Sequence, residues 1–188
     1  KPFSTLYDAT KPTVTIISLG ANPTNSTFRT IFNFSENVEG FEIGDITLDN
    51  AEASLFTQIN GQAYTALITP ATDGAVKVDV KANVANDSAT NLNKAAPEFS
   101  TLYDATRPTV TITSSVANPT NTAFITTFTF SEEVKNFVIE DIALTNATAS
   151  NFNITNSSVY TAKITPTADG IVTVNIAADA ANDHPATN

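Results

Sequence analysis

The chain has 188 residues, 19 acidic and 9 basic, for a net charge of −10, and no cysteine. That charge excludes nucleic acid and anionic membrane surfaces as partners, because binding to either depends on Lys and Arg displacing counterions. The missing cysteine excludes disulfides, thiolate nucleophiles and Cys-ligated zinc, and no apolar run approaches the roughly 18 residues of a membrane span.

The first residue is Lys, with no signal peptide ahead of it, so the chain reads as an internal fragment or processed product of something longer. An apolar stretch, Phe3-Ser4-Thr5-Leu6-Tyr7, precedes Asp8. From Pro12 onward the hydrophobic period is two: Phe28, Thr30, Phe32 and Phe34 point one way, Arg29, Ile31 and Asn33 the other. Val14 and Ile16, then Tyr64, Ala66 and Ile68, then Val76, Val78 and Val80 alternate likewise. This predicts strands over 12–18, 27–35, 38–49 with a kink at Gly44, 52–59, 63–69 and 75–81. Asn22-Pro23, Gly40, Asn60-Gly61 and Pro70 to Gly74 mark turns between them. A seventh strand over 98–103, after the polar loop 83–97, completes a Greek-key sandwich. No segment carries a helical period.

The second half repeats the first at an offset of 96 residues. Phe3 to Thr10 recurs as Phe99 to Thr106, Asn22-Pro23-Thr24-Asn25 as Asn118-Pro119-Thr120-Asn121, and Phe34-Ser35-Glu36 as Phe130-Ser131-Glu132. Every Phe and Tyr has its partner at that offset, which marks the aromatics as core rather than as a site private to one copy. The chain is therefore all-β: two tandem immunoglobulin-like Greek-key β-sandwich modules. They span 10–104 and 105–188, behind an N-terminal strand or linker over 1–9. On this division the second module lacks a last strand of its own. Phe3 to Tyr7 is then the last strand of a preceding repeat, a strand donated to another chain in head-to-tail complementation, or a lead-in strand of its own module.

Further residues carry a family resemblance. Asp8-Ala9-Thr10-Lys11-Pro12-Thr13-Val14-Thr15-Ile16, Phe32 to Phe41, Tyr64-Thr65-Ala66 with Ile68-Thr69-Pro70, Asp73-Gly74, and Asn86-Asp87 with Asn91 and Asn93 are its elements. Together they resemble the bacterial Ig-like tandem repeats of large cell-surface adhesins, over essentially the whole chain and twice. The resemblance implies an extracellular, cell-surface location and a role as extender rod, and many such repeats bind Ca²⁺ in loops or linkers. Two departures concern that loop. Thr90 stands where members often carry Gly, and the second copy has an extra residue in Asp183-His184-Pro185-Ala186-Thr187-Asn188.

In such a sandwich the lead-in to the first strand, the connection after the second and the one after the sixth lie at one end. That gathers Asp8, Glu36 and Asp87 in the first module and Asp104, Glu132 and Asp183 in the second, with amide oxygens from Asn86 and Asn91. Ca²⁺ takes about 6–8 oxygens from carboxylates, amides, carbonyls and water, and three carboxylates from separate loops suit it. The other reading of these residues is the capping of turn amides by Asp and Asn.

Catalysis finds little footing. His184 is the single histidine and its counterpart is Ser88, so no Ser-His-Asp set is possible in the first copy. No phosphate-cradling Gly-rich motif occurs among 6 glycines. The sequence thus predicts a non-enzymatic structural or adhesive segment of a surface protein or filament. Its partners are neighbouring repeats or copies of itself, and its ligand is Ca²⁺. A glycan- or protein-binding module and an accessory domain of a secreted enzyme are the alternatives.

Overall fold

The computed structural model describes residues 1–183 and divides the chain into two compact units, Lys1–Ala105 and Thr106–Asn188. The first unit contains seven strands: β1 (Val14–Ser18), β2 (Phe28–Phe34), β3 (Ile46–Asp49), β4 (Ala51–Gln58), β5 (Ala63–Pro70), β6 (Gly74–Val80) and β7 (Phe99–Tyr103). They form one sheet in the order β1-β2-β5-β4 and a second in the order β3-β6-β7, every pairing antiparallel. Four strands against three is the division of an immunoglobulin-like sandwich.

The alternation read from the sequence is the burial pattern. Phe28, Thr30, Phe32 and Phe34 on β2 are buried, as are Tyr64, Ala66 and Ile68 on β5 and Val76, Val78 and Val80 on β6. Phe41 fills the space between the sheets, its ring 5.6 Å from Phe32, 5.1 Å from Phe34, 5.7 Å from Phe56 and 5.2 Å from Tyr64. Most of these rings meet edge-on, a geometry worth about 0.5–1.5 kcal/mol per pair beyond the area buried. The Tyr64 hydroxyl donates to the carbonyl of Val38 at 3.0 Å, so even the polar tip of the cluster is satisfied.

The long third strand expected over 38–49 is not one strand. Val38 to Glu42 forms only a single bridge, Glu39 to Asn86, before a 3-10 turn at Ile43–Asp45 and then β3. Val38 and Phe41 are both buried while Glu39 and Gly40 between them are exposed, a spacing of three that a pleated strand cannot supply. Gly40 makes the reversal with φ +83°. Asp45 then holds the turn, its Oδ2 accepting the Glu42 N–H at 2.8 Å.

The second unit repeats this plan with β8 (Val110–Ser114), β9 (Phe124–Phe130), β10 (Val134–Lys135), β11 (Ile142–Thr145), β12 (Ala147–Asn156), β13 (Val159–Pro166), β14 (Thr173–Ile176) and β15 (Asn182–Asp183). Its large sheet runs β12-β13-β9-β8, and β11 pairs with β14, β10 with β15. Phe137 sits 5.6, 5.1, 5.7 and 5.1 Å from Phe128, Phe130, Phe152 and Tyr160, reproducing the first cluster. Among the described residues of this unit, no strand occupies the place that β7 takes beside β6. No helix of the described residues is long and apolar enough to cross a membrane.

Candidate metal centre

Three segments far apart in sequence meet at one end of the first unit. Asp8 lies on the lead-in to β1, Glu36 in the turn after β2, and Asp87 in the long connection from β6 to β7. The connection is pinned before it reaches the carboxylates. Asn93, 1% exposed, accepts the N–H groups of Val84 (2.8 Å) and Ala85 (2.9 Å) on its Oδ1 and donates to the carbonyls of Lys81 (3.0 Å) and Lys94 (2.8 Å). All four hydrogen-bonding positions of the amide are thereby used. The Asn86 backbone exchanges two hydrogen bonds with Glu39 (2.8 and 3.1 Å), and the Lys94 N–H donates to the Pro12 carbonyl at 2.8 Å. The connection is so tied both to the turn after β2 and to the lead-in.

Within this frame Asp87 is buried and fixed. Its Oδ1 accepts the N–H groups of Ala89 and Asn91, both at 2.8 Å, and its Oδ2 accepts the Asn91 side-chain amide at 2.9 Å. The same amide donates to the Asp8 carbonyl at 3.2 Å, and Asp8 Oδ1 accepts the Thr10 N–H at 2.9 Å. Thr90 completes the turn at φ +68°, the left-handed region where Gly is at ease and a β-branched residue is strained.

Carboxylate oxygens of Asp8, Glu36 and Asp87 lie within 4.8 Å of one another. An ion about 2.4 Å from each of two oxygens holds them at most about 4.8 Å apart, so the spacing fits Ca²⁺. Among the described residues, neither of the two salt bridges, Lys77–Glu98 and Arg107–Asp179, brings a cation to the trio. The electrostatics register this. Burial, then the charges of Asp87 and Asp8, push the Glu36 carboxyl above its ordinary range. Asp87 goes the other way: burial works against its charge, but the donors from Asn91 and Ala89 outweigh it and hold its carboxyl low. The donor set, three carboxylates with no salt-bridging cation among the described residues, is thus one a hard cation suits.

The second set is divided between the units. Asp104 follows β7 in the first, where its N–H donates to the Thr24 carbonyl at 3.0 Å. Glu132 follows β9 and buried Asp183 ends β15, both in the second, with carboxylate oxygens within 4.8 Å of each other. His184 and the rest of the segment 184–188 lie outside the described residues. Asn86, expected to offer its amide oxygen, donates its amide N–H to the Asp87 carbonyl at 2.9 Å. The sequence reading placed Asn93 among the residues that carry the family resemblance but gave it no structural role.

The sequence profile of the family described as bacterial Ig-like domain matches residues 8–102 and again 104–187. The chain belongs to the bacterial Ig-like domain family. Comparison with curated proteins gave no match. Among solved structures, these two bacterial Ig-like domains are similar to invasin, a bacterial integrin-binding protein, at 13% identity and a TM-score of 0.44. The match covers 86% of this chain and 36% of that one. They are also similar to InvD of Yersinia pseudotuberculosis at 16% identity and a TM-score of 0.37, over 94% of this chain and 54% of that one. The chain therefore spans about a third and about half the length of these two structures.

Proposed function

We propose that the chain is a non-catalytic spacer segment of an extracellular surface protein, an adhesin-type extender. In this reading Ca²⁺ tightens its first unit, and copies join by strand complementation. The observation that carries it is what the duplication preserves. The ring spacings around Phe41 and Phe137 agree to about 0.1 Å, so each copy is a folding unit with its own core. Repetition of a module that carries its own aromatic core adds length, which is what a spacer needs.

Ca²⁺ in the first unit would be held by Asp8, Glu36 and Asp87. A half-turn of the Asn91 amide about its last bond exchanges its nitrogen for its oxygen and supplies a fourth ligand, with water completing the shell. The ion would tie the lead-in, the turn after β2 and the β6–β7 connection together while cancelling their repulsion. Complementation is suggested by Phe3 to Tyr7, which repeats the sequence of β7 and so carries the side chains of a last strand.

Size-exclusion chromatography with light scattering and thermal melting, in Ca²⁺ and in EDTA, tests both parts. The reading predicts association that grows with concentration and a melting point that falls in EDTA. A monomer whose melting ignores EDTA contradicts it.

A further inference from the structure

The two copies agree in their cores, and many of their differences gather on one face of the first unit. The sheet β1-β2-β5-β4 packs its inner side on the core and turns alternate residues outward. On that outer side Ile17 of β1 lies opposite Ile31 of β2, and Arg29 of β2 lies opposite Leu67 of β5. Leu19, just past β1, donates its N–H to the Arg29 carbonyl at 2.8 Å and so lengthens the second row. Ile17 and Leu19 are exposed at 41% and 61%, while Ile31 and Leu67 are half-buried by their neighbours. Thr65, opposite Ile31, is buried at 7% exposure, and its hydroxyl has no hydrogen-bond partner among the described residues. Aliphatic side chains, not water, surround that hydroxyl.

The second unit makes the same sheet with a polar outer side. Thr113, Ser115, Thr127 and Lys163 stand where the first unit has Ile17, Leu19, Ile31 and Leu67. The bulge of β4 sharpens the contrast. Leu55 is 64% exposed there at φ +49°, and its counterpart Asn151 has the same φ. Asn tolerates the left-handed region and leucine is strained in it. The first unit thus holds an exposed aliphatic side chain at a position where the fold itself favours asparagine.

The face also carries two charges. Arg29 lies in the Leu19–Leu67 row, and Glu52 on β4 lies opposite Thr69 of β5. Neither takes part in the salt bridges found among the described residues. In the second unit both are gone together, replaced by Ile125 and Thr148.

We infer that this face docks against the same face of a second copy of the chain, about a twofold axis. Charge selects that occupant. Two chains of net charge −10 repel each other in most approaches, but this face holds one cation and one carboxylate and is neutral. Arg29 and Glu52 stand two strands and one row apart, about 12 Å along the sheet. In a twofold contact, if residue i meets residue j then j meets i. One arrangement therefore pairs both charges of both copies while their aliphatic side chains cover one another. The outer face measures roughly 14 by 23 Å, smaller than the about 800 Å² that each partner buries in a standard interface. The pairing is accordingly weak and suits spacers crowded side by side. It needs no donated strand, so it stands apart from complementation.

The second unit supplies the variants for the test, because its residues already occupy the same fold. Analytical ultracentrifugation of the full chain at low salt, over a concentration series reaching about 1 mM, reads the association. Wild type should self-associate. Ile31→Thr with Leu67→Lys should weaken that association at least about tenfold, since each substitution strips aliphatic burial from both copies. Thermal melting should show that the variant still folds. Arg29→Glu should weaken association about fivefold, and adding Glu52→Arg should restore it by exchanging the two charges. A wild type that stays monomeric throughout the series overturns the inference. Association that Ile31→Thr with Leu67→Lys leaves unchanged also overturns it and assigns the contact to strand complementation. An exchanged pair as weak as Arg29→Glu alone overturns the twofold pairing of the charges.

Discussion

Replacing Glu36 by Gln should change the stability of the first unit in opposite directions with and without Ca²⁺. The carboxylate sits within 4.8 Å of those of Asp8 and Asp87, with no salt-bridging cation among the described residues. At that separation in a water-like dielectric each like-charge pair costs about 0.9 kcal/mol, and physiological salt roughly halves it, leaving about 1 kcal/mol for the two pairs. Glu36→Gln keeps the shape and removes that repulsion, so in EDTA the first unit should melt about 4–8 °C higher. With Ca²⁺ the sign reverses. A site of extracellular-module affinity, about 0.1–1 mM, adds roughly 1.4–2.7 kcal/mol to the wild type at about 10 mM Ca²⁺. The Gln variant, short of one anionic ligand, gains little of this. Differential scanning calorimetry of both proteins in EDTA and in Ca²⁺ reads all four values. A variant that melts lower than wild type in EDTA, or a wild type indifferent to Ca²⁺, refutes the reasoning.

Three further outcomes follow from the same structure. Because the Glu36 pKa is raised, its favourable contribution is complete below the unfolded value of roughly 4.3 and is lost as pH rises through the folded one; that of Asp87, whose pKa is lowered, is present above roughly 3.9 and lost as pH falls. Wild type and Glu36→Gln in EDTA should therefore converge in melting point at pH below about 4 and separate as pH rises past 5, as a pH series of melts would show. Asn93→Ala strands two N–H groups and two carbonyls in the β6–β7 connection and should cost about 3 kcal/mol by urea unfolding, together with loss of Ca²⁺ binding. Thr30 is fully buried and its hydroxyl has no partner among the described residues, so Thr30→Val should raise the stability of the first unit by about 1 kcal/mol in the same assay.

What the sequence disclosed follows from how local each signal was. The period of two along Phe28 to Phe34 needs only the neighbouring residues, and the structure buries that face. The offset of 96 turned one copy into a control on the other: Phe41 and Phe137 belong to matched clusters and are core. The stretch 38–49 misled because β-branched and aromatic residues were read as one strand. The three-residue interval between Val38 and Phe41 was the visible warning. Composition held a further clue that was legible only afterwards. Asn50, Asn83, Asn136, Asn146 and Asn151 all adopt positive φ, which explains part of the abundance of asparagine. Asn136 replaces Gly40, so the two copies solve one backbone requirement with the two residue types that tolerate it best.

The site was legible in outline and not in mechanism. Knowing that three connections share one end of a sandwich was enough to group Asp8, Glu36 and Asp87. Asn93 could not be found that way, because its four hydrogen bonds run to residues brought together only by the folded connection. Asn91 was expected as an oxygen donor, and the structure has it donating its amide N–H to Asp87 and to the Asp8 carbonyl.

Single-molecule stretching of the chain tests the central claim most directly, since a spacer built of units with separate cores must resist force unit by unit. The account predicts two separate unfolding events, each releasing roughly 300 Å of chain, with the first unit's event shifted to higher force in Ca²⁺ than in EDTA. A single merged event, or two events indifferent to Ca²⁺, would contradict it.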